Sequence, residues 1–243
     1  MKGLLGTLYG IGVGPGDPDL ITVKGARLLS ECRHVFVPRG RRAADCLALA
    51  VARPHLDPRT VVHEVIFPMT SDPEELEREW DHRVGPIAEI LRNGTDACYV
   101  TLGDTLLYST YIHMLRALRR RLPEADVVTI PGVTAFSAVA AVAEFPLGTG
   151  REPITIVPGT DDLEEIRRAL AAGGTTILMK IGKRLASVLD LLEREGALER
   201  AVFVSRAGME NETVEPDLRS LRDRADADTG NLSVILVAGP DRR

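Results

Sequence analysis

Aromatic residues make up only 4% of the 243 residues, with a single tryptophan, so the interior of this chain has to be packed from aliphatic side chains. Cysteine is also scarce. Cys32, Cys46 and Cys98 are odd in number and far apart, which argues against a disulfide framework and against a CxxC metal pair. No apolar run approaches the roughly 20 residues of a membrane span. The apolar start MKGLLGTLYGIGVGPG alternates like a strand and meets Gly-Pro-Gly-Asp instead of a small-residue cleavage site, so no signal peptide is expected. A basic excess is missing as well: the formal net charge is −5, against the basic face of a nucleic-acid binder. These absences leave a soluble, aliphatic protein without nucleic-acid or membrane partners, expected in the cytoplasm.

What is present is a βα rhythm over the full length. β-Branched and aliphatic runs predict strands near Leu8–Gly14, His34–Val37, Val61–Phe67, Ala97–Leu102, Val127–Ile130, Ile154–Val157, Thr176–Lys180, Val202–Ser205 and Ser233–Val237. Helices fill the intervals, and this alternation predicts parallel sheets built from βαβ units. One helix is expected from about Pro73 to Leu91, with Leu76, Trp80, Val84, Ile87 and Leu91 on one apolar stripe. That period makes Trp80 a core residue, with a ligand contact as the alternative. The length allows two modest α/β domains. Gly and Pro punctuation at Leu147–Pro153 interrupts the rhythm, and a break shortly before it divides the chain into 1–122 and 123–243. A cleft between two such halves is the default place for small-molecule chemistry.

Two strand ends carry the chemical signal. In YVTLGDTLLYSTY (Tyr99–Tyr111) and VVTIPGVTAFSAVAA (Val127–Ala141), an apolar run ends in a Gly-containing turn and opens into a helix, where α/β proteins place ligands. Asp104 beside the small residues Ala135, Ser137 and Ala138 suits a flat nucleoside. A third turn, GIGVGPGD (Gly10–Asp17), lacks the dinucleotide spacing, because the third glycine position falls on Pro15 or Asp17. It reads equally as a plain turn in which glycine supplies freedom and Pro15 and Pro18 fix direction. His34, His55, His63, His82 and His113 show no ligand spacing, so all five are read as structural or surface residues, with no metal site.

TLYGIGVGPGDPDLITVKGARLL, LGDTLLYSTY and IPGVTAFSAVAA together resemble the three signature segments of the tetrapyrrole (corrin/porphyrin) methyltransferases, which use S-adenosylmethionine. IFPMTSDPEELEREW and TTILMKIG fall in the family's order, so the likeness covers nearly the whole chain. VFVPRGRR, FPMT before an acidic helix with Trp80, and LYST after the Gly-Asp turn most resemble the members that methylate C20 of precorrin-2 or of its cobalt-containing counterpart, cobalt-factor II. The resemblance implies two αβα domains, with a mixed sheet in the second, a cofactor held in the cleft between them, and a homodimer.

Carried over residue by residue, it assigns S-adenosylmethionine to Pro15, to Leu102, Gly103, Asp104 and Leu107, to Thr134 and Ala135, to Met179, and to Ala207 or Gly208. The family's Gly-Asp-Pro is Gly-Asp-Thr here: Thr105 removes a fixed φ and adds a donor, which predicts a softer loop. Asp104 either stabilises the sulfonium cation or serves as a turn acid for a helix starting near Leu107. Asp104 and Tyr108 are the candidates for a proton acceptor, if the tetrapyrrole needs one. A substrate with eight carboxylates calls for bidentate arginines. Arg39, Arg41 and Arg42 are the expected set, against the plainer reading of a solvated turn. Arg119, Arg120 and Arg121 read as a helix C-terminus that interacts with the dipole. Methylation at another ring position, of a diphthine precursor or of ribosomal RNA would keep the chemistry; a non-catalytic nucleotide or tetrapyrrole carrier would keep only the fold.

Overall fold

The computed structural model describes residues 5–40, 46–68, 70, 72–159, 161–224 and 229–240. It divides into two units, Met1–Thr134 and Ala135–Arg243.

The first unit runs β1 (Thr7–Gly12), α1 (Val23–Glu31), β2 (His34–Arg39), α2 (Leu47–Ala52), β3 (Val61–Ile66), α3 (Pro73–Arg83), α4 (Gly85–Arg92), β4 (Ala97–Thr101), α5 (Tyr111–Arg121) and β5 (Asp126–Ile130). Its sheet has the order β3-β2-β4-β1-β5, and every pairing is parallel. Because β5 pairs with β1, the division falls after Thr134 and not at the expected 122/123. A parallel sheet has to be covered on both faces. Leu8, Phe36 and Tyr99 pack on one side with Trp80, Ile87 and Met114 from α3, α4 and α5. Ile11, Val35, Val37, Cys98 and Val100 pack on the other with Leu29 from α1 and Val51 from α2. The alternation along β2 and β4 assigns each residue its face.

The expected long helix is two. Asp72 caps α3, its Oδ1 accepting from the Glu74 and Glu75 amides at 2.9 and 3.2 Å, with Pro73 in the first turn. Gly85 and Pro86 then end the run at Val84, since Pro86 has no N–H to continue the ladder. The apolar stripe continues across the break, and Trp80, at 2% exposure, is core. Arg120 joins α5 to α3 through Glu77 and Asp81 at 2.9 and 2.7 Å.

The second unit runs α6 (Ala135–Val142), β6 (Ile154–Pro158), α7 (Leu163–Ala171), β7 (Thr175–Met179), α8 (Leu185–Arg194), β8 (Ala201–Ser205), β9 (Thr213–Glu215) and β10 (Ser233–Val237). Its order is β6-β7-β10-β8-β9. Here the expectation of parallel pairing fails. β6 and β7 are parallel, but β10 lies antiparallel between β7 and β8, and β9 is antiparallel to β8. The strands β6, β7 and β8 still share one direction, as the βα rhythm requires; β10 fills the gap that the α8 crossover leaves. The mixed sheet matches what the resemblance implied for this half. Its core joins Ile166 and Leu170 of α7 and Leu189 and Leu192 of α8 to Leu178, Phe203 and Ile235.

Candidate active site

In the first sheet β1 lies between β4 and β5, so the turns after these three strands meet at one carboxyl edge. The connection leaving β1 runs toward β2 with α1, and the one leaving β4 runs over β1 toward β5 with α5. Neighbouring strands whose connections depart to opposite faces open a crevice at their carboxyl ends, the usual ligand position in α/β sheets.

The turns are locked backbone to backbone. Gly14 N–H donates to the Gly103 carbonyl at 3.2 Å, and Gly103 N–H donates back to Gly14 at 2.6 Å. A Cβ on Gly132 would stand 2.1 Å from the Gly103 oxygen, and one on Gly12 would stand 2.6 Å from the Gly132 nitrogen. Any side chain there would push the turns apart. Gly103 differs: its φ is +72°, and a Cβ would meet nothing within 4 Å. Gly103 is buried, but the space on its Cβ side is unfilled, where a ligand can come close. His55 holds the first turn from outside, its Nε2–H donating to the Pro18 carbonyl at 3.0 Å.

Asp104 binds two of the turns together. Its Oδ1 accepts from Leu106 N–H at 2.8 Å and its Oδ2 from Gly132 N–H at 3.0 Å. The helix expected near Leu107 starts later, at Tyr111, because Asp104 turns the chain onto Leu106 and Tyr108 sits at φ +52°, outside the helical region. The segment 105–108 is a bend. Nor is it soft. Thr105 is fully buried, its hydroxyl donates to the Ile130 carbonyl at 3.5 Å, and its own carbonyl accepts from Ser109 Oγ. The donor that replaced the proline fastens the loop to the end of β5.

Of the expected cofactor residues, the first unit brings Pro15, Leu102, Gly103, Asp104, Leu107 and Thr134 to these three turns; Pro15 is buried and Leu107 half-buried. Ala135 is the first residue of α6. In the second unit Met179 ends β7, while Ala207 and Gly208 follow β8, so all three lie at one edge of that sheet. The backbone is left-handed at Lys180, Arg206 and Leu232 along this edge, and the Arg206 amide donates to Leu232 at 3.0 Å. Such conformations cost about 1–3 kcal/mol each and cluster where a site over-determines them. Burial lowers the Lys180 pKa. Gly208 N–H donates to Glu212 Oε2 at 2.7 Å, which fixes the turn.

The arginine set divides. Arg39 ends β2 and pairs with Glu64 of β3 at 2.5 Å, both side chains partly exposed. Arg41 and Arg42 lie outside the described residues. Arg119 donates to the Ala125 carbonyl at 2.7 Å beyond its own helix end. Among the described residues no group of three or more His, Cys, Asp or Glu side chains is placed to hold a metal ion. His34, His63 and His113 make contacts within the fold: His34 Nδ1 and His63 Nε2 lie 3.0 Å apart, and His113 stacks on Trp80. No helix among the described residues is long and apolar enough to cross a membrane.

The sequence marks Gly12, Gly14 and Gly132 as turn glycines; the structure adds that they let the turns interlock. Glycines at strand ends, in GVGPG and IPGVT, were the available signal.

A parallel sheet with three glycine turns locked at its carboxyl edge, followed by a second, mixed α/β unit, is the layout of the tetrapyrrole methylase fold. The family model for the Tetrapyrrole (Corrin/Porphyrin) Methylases matches residues 7–221, and the chain belongs to that family. It is similar to the cobalt-precorrin-2 C(20)-methyltransferase of Salmonella typhimurium, 36% identical over 232 residues that cover 96% of each chain. It is also similar to the precorrin-2 C(20)-methyltransferase of a Sinorhizobium species, 30% identical over 97% of this chain and 96% of that one. Among solved structures it resembles in fold the uroporphyrin-III C-methyltransferase of Thermus thermophilus in complex with S-adenosylhomocysteine, with TM-score 0.67, 23% identity, and coverage of 96% and 97%.

Proposed function

We propose that this protein transfers a methyl group from S-adenosylmethionine to C20 of precorrin-2 in cobalamin biosynthesis. The observation that supports this most is the interlocked trio of turns in a chain of this family that aligns end to end with relatives named for C20 methylation. A second reading has the cobalt-containing ring as substrate, since the relative named for it shares 36% of aligned residues against 30% for the metal-free one.

Bound S-adenosylmethionine supplies an electrophilic methyl on a sulfonium. Open space at Gly103, with locked backbone on either side of it, fits a donor held by main-chain groups. In this reading Pro15, Leu102, Gly103, Asp104, Leu107, Thr134, Ala135, Met179, Ala207 and Gly208 are the residues that hold it. The methyl–sulfur bond breaks as the carbon–carbon bond forms, the electron pair returns to sulfur, and the macrocycle gives up a proton. Holding donor and acceptor in line is the protein's main contribution, worth up to about 7–11 kcal/mol. Asp104 and Tyr108, on the same turn, are the candidate proton acceptors. Arg39, Arg41 and Arg42 would take the substrate's carboxylates. The enzyme is expected to work as a cytoplasmic homodimer.

The test is transfer of label from methyl-labelled S-adenosylmethionine into the tetrapyrrole fraction with precorrin-2 or the cobalt form as acceptor. Donor binding without transfer to either would return the protein to the class of carriers.

A further inference from the structure

The turn after β4 displays two apolar side chains that its geometry holds out into solvent. Along Thr105–Tyr108 exposure alternates: Thr105 is fully buried, Leu106 is 57% exposed, Leu107 is half-buried and Tyr108 is 38% exposed. A single exposed leucine needs no explanation. Here, however, the bend is anchored at both ends, by Thr105 on Ile130 and by the Tyr99 hydroxyl 3.2 Å from Thr110 Oγ1, while Asp104 fixes the Leu106 amide. Tyr108 is kept at φ +52°, which costs an L-residue about 1–2 kcal/mol. The fold tolerates a strained turn that hides neither side chain, beside the unfilled space at Gly103.

We propose that Leu106 and the ring of Tyr108 form the apolar platform on which the flat face of the tetrapyrrole lies. This rests on the function proposed above. A methyl acceptor must come within about 3–3.5 Å of the donor's methyl, so a ring that receives it from a donor at Gly103 lies against this same turn. A tetrapyrrole carries its carboxylates on the rim and presents a broad face of ring carbon around its four central nitrogens. Arginines can hold the rim, but the face needs aliphatic and aromatic contact, which Leu106 and Tyr108 provide with little rearrangement.

Steady-state kinetics with precorrin-2 on wild type, Leu106→Ser, Leu106→Asp and Leu106→Met tests this, together with calorimetry of S-adenosylhomocysteine and sedimentation of each variant. Loss of a buried leucine contact should raise the Michaelis constant about tenfold in Leu106→Ser, with kcat and S-adenosylhomocysteine affinity within about twofold. Leu106→Asp should raise it further by repelling the substrate's carboxylates, and Leu106→Met should restore it. An unchanged Michaelis constant in both polar variants overturns the platform. So does a parallel loss of S-adenosylhomocysteine affinity, which would put Leu106 in the donor pocket, or an altered oligomeric state with unchanged kinetics, which would put it in a subunit contact. Wild type that binds the donor but methylates neither precorrin-2 nor its cobalt form would refute the proposed function itself, before any variant is compared.

Discussion

Asp104 Oδ2 accepts a hydrogen bond from the Gly132 amide at 3.0 Å, across 28 residues of chain, and so holds the turn after β4 against the turn after β5. A carboxylate in this position can be a pin, an electrostatic partner for a cation, or both. S-adenosylmethionine is a cation at sulfur and S-adenosylhomocysteine is not, so the pair of ligands separates the roles. Asp104→Asn keeps the shape and removes the charge, and with only one acceptor oxygen it gives up one of the two amide bonds, from Leu106 or from Gly132. It is expected to weaken S-adenosylmethionine more than S-adenosylhomocysteine, while Asp104→Ala weakens both and lowers stability by about 1–3 kcal/mol through the unsatisfied Gly132 amide. Calorimetry with both ligands and a thermal melt decide this; equal losses for the two ligands in Asp104→Asn would leave Asp104 a pin only.

The two glycines facing each other at this lock should fail differently. Gly132→Ala drives a Cβ against the Gly103 carbonyl, and the overpacking costs about 1–3 kcal/mol or more. Gly103→Ala meets no atom but pays about 1–2 kcal/mol for its positive φ and fills the open space. The expected signature is a larger drop in melting temperature for Gly132→Ala, and a larger loss of donor affinity relative to stability for Gly103→Ala. The reverse pattern would mean that the open side of Gly103 does not face the donor.

Much of this architecture was legible in local pattern. β-Branched runs marked nine of the ten strands among the described residues, and the three- and four-residue spacing around Trp80 marked the face that α3 and α4 bury. Three things were not, each for a physical reason. β9 has only three residues, too few for a period. The insertion of β10 between β7 and β8 is a long-range choice with no local trace. The break at Gly85-Pro86 was hidden by the apolar stripe, which runs straight through it. In the site, the turns could be located because glycine and acid residues stand at strand ends. That Gly12 and Gly132 touch could not, since the contact joins segments 120 residues apart.

Stability should depend on pH through His63. Burial, and after it the charge of His34, pushes the His63 pKa below its ordinary value. The unfolded chain, titrating near about 6.5, then takes up its proton at higher pH than the folded one. The contribution is present above that value and is lost as pH falls toward the lowered folded pKa. His113, lowered by burial and then by Arg116, acts in the same direction. Urea midpoints taken above and below about pH 6.5 should fall on the acid side, and less so in His63→Gln. An equal fall in that variant would remove His63 from the account.

The arginine set is tested by salt. Replacing Arg39, Arg41 and Arg42 together by Ala should raise the Michaelis constant for the tetrapyrrole and leave S-adenosylhomocysteine affinity unchanged. Of the three, Arg39 should contribute least, because Glu64 already takes its charge. Charge attraction shortens with the Debye length, about 10 Å at 0.1 M and about 3 Å at 1 M, so the wild-type Michaelis constant should rise with salt more steeply than the variant's. Parallel slopes with an unchanged constant would make these arginines a solvated turn.

The most direct measurement is the position of the transferred carbon. The protein, S-adenosylmethionine labelled with carbon-13 at the methyl, and either precorrin-2 or its cobalt form are incubated together, and the product is read by NMR. A single labelled methyl is expected on C20 of one or both rings. Label at any other carbon, or a macrocycle that remains unlabelled while the donor binds, would contradict C20 methylation.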